Sequence, residues 1–266
     1  MKEGYWVIRT YESGPVGEKI KFWVPGQKPV GKLTRKQKSE IRKAAQNEYS
    51  AMRQLARLIN ANFQPGDLFL GLDYSPEALL RVEEKAACRC GLRLMLTEGQ
   101  RMDAIREAAA HEMVNCIRRV KRELDKDGIE LKYVSITSDM DGETGEAVRV
   151  HHHLVINREA RDAFVKKWQE KGMGSVDWKP LDDQDDYMDI AKYMIKQVRK
   201  LEEANQFASS RNLIRPQPKD RVAASSSEVR VPKGCRLLHR QEYKPGRAQY
   251  IRYRIERERG PTDRVA

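Results

Sequence analysis

The densest chemistry in the chain is the run Val148-Arg149-Val150-His151-His152-His153-Leu154-Val155-Ile156. As a strand its side chains alternate between two faces. Val148, Val150, His152, Leu154 and Ile156 then share a mostly apolar face, and Arg149, His151, His153 and Val155 share the other. Two imidazoles aimed the same way from a strand are the start of a metal site. A second reactive pair, Tyr193 and Lys196, lies in Asp185–Leu201. At about 100° per residue, Tyr187, Ile190, Ala191, Met194, Ile195, Val198 and Leu201 form the apolar stripe of a helix. Tyr193 falls away from that stripe, with Lys196 three residues on. A divalent ion polarising a phosphate, together with a tyrosine attacking it, is the apparatus of covalent phosphoryl transfer. A tyrosine with a pKa of about 10 needs help to ionise, and a neighbouring ammonium or a metal supplies it.

Several elements must position these groups. Tyr5–Thr10 and Lys19–Val24 read as strands around a turn-rich Glu12–Gly17. Thr34 and Gln37 form a capping box that opens a long basic helix, whose cations suit solvent and a nucleic-acid backbone equally well. Leu68–Leu72 is a short apolar run expected as a central strand buried on both faces. A helix starts near Ser75-Pro76, and a longer one covers about Gln100–Lys126. Asp127-Gly128 turns the chain into an alternating strand, Leu131–Thr137. The acidic turn Asp139–Glu146 then makes a hairpin of that strand and the histidine strand. Helix 158–171, strand 174–181 and helix 185–201 follow, and Glu228–Val231 and Gln249–Ile255 alternate like strands. The expected fold is α+β, a central antiparallel sheet with flanking helices. The expected division is 1–64 (hairpin and basic helix), 65–205 (catalytic domain) and 206–266 (an extension with short strands).

Among 266 residues, 51 Lys and Arg face 39 Asp and Glu, a formal charge of +12. That field attracts phosphate backbones. No apolar run is long enough for a membrane span, and the N-terminus lacks the apolar stretch of a signal peptide. Cys88, Cys90, Cys116 and Cys235 have no metal-finger spacing and read as reduced thiols of a cytoplasmic protein. No phosphate-binding loop of the Gly-x4-Gly-Lys-Ser/Thr type occurs.

His151-His152-His153 resembles the His-hydrophobe-His motif of the HUH endonucleases, with histidine at the middle position. Ile190-Ala191-Lys192-Tyr193-Met194-Ile195-Lys196 resembles their Tyr-x-x-Lys helix, and Asp67–Tyr74 their first motif strand. Over roughly residues 40–215 the chain therefore resembles rolling-circle replication initiators (Rep proteins) of phage and plasmid type, a ferredoxin-like relative in fold. The resemblance implies a metal-dependent single-stranded DNA nickase and strand-joining enzyme. Tyr193 would form a 5′-phosphotyrosine with Lys196 beside it, and Mg²⁺ or Mn²⁺ would be the metal. A host helicase would supply unwinding.

The chain departs from the pattern in places. Asp189 stands where some relatives carry a second tyrosine, so one tyrosine is expected. The third ligand is expected at Asp139, which shares strand parity with Ser135 and Thr137, or at Asp73, where relatives have threonine. Arg149, Lys192, Lys200 and Asp73 are the expected DNA contacts. Two other readings fit parts of the pattern. One is a non-catalytic basic nucleic-acid-binding protein whose histidines only pack. The other is a two-histidine-one-carboxylate iron oxygenase, which leaves Tyr193 and the charge unexplained.

Overall fold

The structure is a computed structural model that describes residues 3–29, 31, 34–46, 51–90, 97–198, 206–243 and 248–256. The chain forms two compact units. One comprises residues 1–61, 185–187 and 214–266; the other comprises 62–184 and 188–213. Each is α+β with a five-stranded antiparallel sheet.

The first unit is built on β1 (Gly4–Ser13) and β2 (Val16–Pro25), joined by a tight turn in which Gly14 takes φ 59°. Its helices are α1 (Arg35–Gln46), opened by the Thr34/Gln37 capping box, and α2 (Ala51–Asn62). Its sheet is completed by β8 (Lys219–Ala223), β9 (Cys235–Tyr243) and β10 (Ala248–Ile255), in the order β8-β1-β2-β10-β9. The C-terminal strands are thus not a separate extension. They pair with the N-terminal hairpin, so the expected three consecutive blocks become two interleaved units. Glu18 on β2 and Arg57 on α2 form a buried ion pair at 2.7 Å, and the guanidinium stacks 3.6 Å from the Tyr11 ring. Arg9 grips Asp220 through two bonds of 2.7 and 2.8 Å, tying β8 to β1. Glu228–Val231 is not a strand. Its alternation buries Val229, whose N–H donates to the Gln249 side chain.

The second unit contains β3 (Leu68–Asp73), α3 (Pro76–Cys90), α4 (Glu98–Leu124), β4 (Tyr133–Met140), β5 (Ala147–Ile156), α5 (Arg161–Gln169), β6 (Val176–Pro180), α6 (Met188–Lys196) and β7 (Ala208–Ser209). Sheet order is β6-β3-β5-β4-β7, so the histidine strand β5 is central. Leu68, Leu70 and Leu72 of β3 and Val150, Leu154 and Ile156 of β5 pack into one core with residues of α3, α4 and α5. Burial of that apolar area, at about 25 cal/mol per Å², fixes the strand parity read from sequence. The opposite face carries His151 and His153.

α4 begins with a capping box between Thr97 and Gln100, and the chain leaves it through Gly128 at φ 68°, as the Asp127-Gly128 turn requires. α6 is shorter than the periodicity predicts. It begins at Met188, and in the segment before it Asp185 and Asp186 pair with Arg236 and Arg252. Among the described residues no helix is long and apolar enough to cross a membrane.

Candidate metal and tyrosine centre

The register of β5 with its neighbours decides which groups share the histidine face. Directly opposed residues of an antiparallel pair point the same way. On β3, Gly71 lies opposite His153 and Asp73 opposite His151. On β4, Ile136 lies opposite His153 and Ser138 opposite His151. On β6, Asp177 lies opposite Gly71 and Lys179 opposite Phe69. The two imidazoles therefore share a face with Phe69, Asp73, Ser138, Asp177 and Lys179.

His152 is on the other face, as its parity predicts. It is fully buried, and its ring nitrogens meet the Tyr74 hydroxyl at 2.8 Å and the Thr137 hydroxyl at 2.9 Å. Burial, reinforced by His151 and His153, pushes its pKa down to about 3, so it stays neutral. Its role is packing with both polar atoms satisfied.

The helix brings the tyrosine to the pair. The ring of Tyr193 stands edge-on to His153 with centroids 5.3 Å apart, and 5.9 Å from Phe69. Phe69 stacks on His153 at 5.3 Å and 20°. The three rings form one cluster, in which Tyr193 keeps 43% of its surface exposed. Burial, with His151 adding to it, holds the His153 pKa down to about 4, so it presents a neutral imidazole.

The residue that joins the histidines is Gln197, which sequence reasoning missed. Its side-chain oxygen lies 2.9 Å from His151 Nε2 and 3.1 Å from His153 Nε2. It is 2% exposed, just past the end of α6. The Ser138 hydroxyl donates to its backbone carbonyl at 2.6 Å, from the irregular stretch of β4 where the ladder shifts register. The available signal was spacing, since Gln197 is four residues after Tyr193 and so on the same side of the helix.

The donor chemistry fits a cation. His151 Nδ1 lies 3.0 Å from the Arg149 carbonyl, which can only accept. Neutral His151 therefore carries its proton on Nδ1 and turns the Nε2 lone pair toward the Gln197 oxygen, another lone-pair bearer. Gln197 Nε2 meanwhile lies buried without a hydrogen-bond partner. Without an ion the amide can rotate to donate; with one, its oxygen and both Nε2 atoms face the ion. Separations of 2.9 and 3.1 Å match the roughly 3 Å expected between adjacent ligands on bonds of about 2.1 Å. Among the described residues no three His, Cys, Asp or Glu side chains converge as a metal cluster. The further donor that could join the two imidazoles is the Gln197 amide.

Asp139 does not meet the pair. Register aligns Thr137 with His152, so Asp139, of the same parity, faces the helices. It is fully buried there, with the Arg106 guanidinium 4.0 Å away. Asp73 lies on the histidine face, exposed and opposite His151, with Asp177 nearby on β6. Arg149 is exposed at the start of the same face. Lys196 is exposed one turn past Tyr193, and Lys192 is paired with Asp189 at 2.8 Å. Lys200 lies outside the described residues.

Comparison with protein-family models, with curated proteins and with solved structures found no match.

Proposed function

We propose that the protein is a metal-dependent enzyme that nicks and rejoins single-stranded DNA through a 5′-phosphotyrosine on Tyr193, initiating rolling-circle replication of a mobile element. The observation that carries this reading is the partly exposed Tyr193 ring, 5.3 Å from an imidazole whose Nε2 shares the Gln197 oxygen with His151. A packing histidine pair would not need a tyrosine held open to solvent beside it. The +12 charge suits a nucleic-acid substrate.

His151, His153 and Gln197 would hold Mg²⁺ or Mn²⁺, which when bound would polarise the scissile phosphate. Tyr193 Oη releases its proton to water and attacks phosphorus, and the bond to the 3′ oxygen breaks. The 5′ phosphate stays on the tyrosine, and the departing oxygen takes a proton to become a free 3′-hydroxyl. Lys196, one turn on, stabilises the phenolate by charge. The reverse attack by a 3′-hydroxyl rejoins the strand. Phe69 and Tyr193 hold the His153 ring in place, and the Arg149 carbonyl fixes the His151 tautomer. Unwinding would come from a host helicase.

The test is incubation with pooled single-stranded oligonucleotides and Mn²⁺, followed by denaturing electrophoresis. A covalently shifted band is expected, lost in Tyr193→Phe and with chelator, while DNA binding by Tyr193→Phe persists. An adduct that survives Tyr193→Phe excludes this tyrosine. Binding with no adduct under any metal leaves a basic nucleic-acid-binding protein.

A further inference from the structure

A cavity of about 500 Å³ lies on the helical layer of the second unit, lined by Arg81 and Lys85 of α3, Arg118, Arg119 and Arg122 of α4, and Lys171 after α5. These helices cover the sheet face that carries His152, so the cavity lies across the sheet from His151 and His153. We infer that this cavity, where cations of α3, α4 and the turn after α5 converge, binds the phosphodiester backbone of DNA, separately from the tyrosine centre. The inference shares a DNA partner with the proposed function but not its tyrosine chemistry.

Charge is the first argument. Among the described residues six cations line the cavity against one carboxylate, Glu112, which is already paired with Lys85 at 2.8 Å. Such a group repels itself unless an anion enters. Weakly met hydrogen bonding is the second. Arg119 Nε and Nη2 are screened from water, and the thiol of Cys116, a weak acceptor, is what the guanidinium meets there. Phosphate oxygens are the acceptors a guanidinium fork matches best.

Shape is the third. Arg81 and Lys85 are one turn apart on α3, as Arg118 and Arg122 are on α4. Each pair spans about 6 Å along its helix, so the charges form two short rows, suited to a linear polyanion. The wall is built in place: Arg81 Nη2 donates to the Gly172 carbonyl at 2.9 Å, pinning α3 to the turn after α5. Among the described residues none that lines the cavity is aromatic. It therefore offers no platform for base stacking, and the contact reads backbone without sequence.

The test uses the full chain without divalent metal, so that cleavage does not enter. Arg118, Arg122 and Lys171 are exposed, and the triple variant Arg118→Gln, Arg122→Gln, Lys171→Gln is compared with the parent. Affinities for labelled duplex and single-stranded oligonucleotides are measured by anisotropy across a salt series. Loss of three phosphate contacts should flatten the log–log salt slope by about 2.7 for duplex or about 2 for single strands. Thermal melting should be unchanged, and adduct formation at saturating DNA should persist. Equal slopes for parent and variant on both DNA forms overturn the inference. So does loss of tripolyphosphate binding with an unchanged DNA slope, which marks a small-anion site. An altered slope with no adduct in either protein keeps the inference and removes the nicking reading.

Discussion

Gly142, in the turn between β4 and β5, is expected to control the metal centre without touching it. A Cβ at this position would lie 2.9 Å from Gln197 Cγ, 3.3 Å from its Nε2 and 3.4 Å from its Cδ. Relaxed carbon contacts are about 3.5–4.0 Å, so Gly142→Ala must push the Gln197 side chain by roughly 0.6–1.1 Å. The backbone at Gly142 is not in the left-handed region, so alanine brings no conformational strain there. The overlap is a packing cost of at most about 1–3 kcal/mol. The push falls on Gln197 Cγ, Cδ and Nε2, and so moves the amide whose oxygen both imidazoles share. Weakening a group that orients or supplies a metal ligand typically costs about 10–100-fold in affinity. The assay is the Mn²⁺ concentration giving half-maximal adduct, with metal binding by calorimetry as the activity-independent reading. Gly99→Ala, where a Cβ meets nothing within 4 Å, is the control. A Gly142→Ala protein with an unchanged Mn²⁺ midpoint and binding isotherm would refute the role of Gln197.

Other consequences follow from the same geometry. With two imidazoles and an amide as donors, Mn²⁺ should support the reaction at lower concentration than Mg²⁺, which prefers all-oxygen sets; equal midpoints in a metal titration would contradict this ligand set. His152 and His153 have pKa values near 3 and 4, depressed from the usual 6.5. Unfolded chains therefore bind more protons, so their contribution is intact above pH 6.5 and falls progressively as pH drops toward those values. At pH 5 that amounts to at most about 2 kcal/mol for each histidine, readable as a lower urea midpoint; a flat profile from pH 7.5 to 5 would contradict it. Glu18→Gln strands the Arg57 charge in the first unit and should cost about 3–5 kcal/mol in chemical denaturation. A loss below about 1 kcal/mol would mean that water reaches the guanidinium.

The local pattern of the sequence determined much of this site. Period-two alternation separated His152 from His151 and His153, because one face of β5 had to bury Val150, Leu154 and Ile156. Period 3.6 removed Tyr193 from the apolar stripe of α6, and the ring stands outside the core beside His153. The capping boxes at Thr34 and Thr97 and the Asp127-Gly128 turn are local hydrogen-bond and backbone chemistry, and they formed where they were written. Edge strands were less legible. β8 and β9 pair on one side only and carry polar residues on both faces, which blunts their edges and erases the alternation that reveals a strand. The pairing of β8 with β1 and of β10 with β2 is a long-range choice that no window of sequence contains.

The tertiary structure alone decided which side chain stands beside the two imidazoles. Parity within β4 correctly grouped Asp139 with Thr137, but it could not say which face of the neighbouring strand that group would join. Register decides that: Thr137 opposes His152, so Asp139 points to the helices and Arg106. The place beside His151 and His153 is filled from just past α6, by a glutamine whose neutral amide signals no chemistry in sequence. Gln197 reaches both imidazoles with its backbone held by Ser138 and its side chain given room by Gly142. Side-chain periodicity is written residue by residue, whereas the meeting of a strand with a helix depends on packing across the whole sheet.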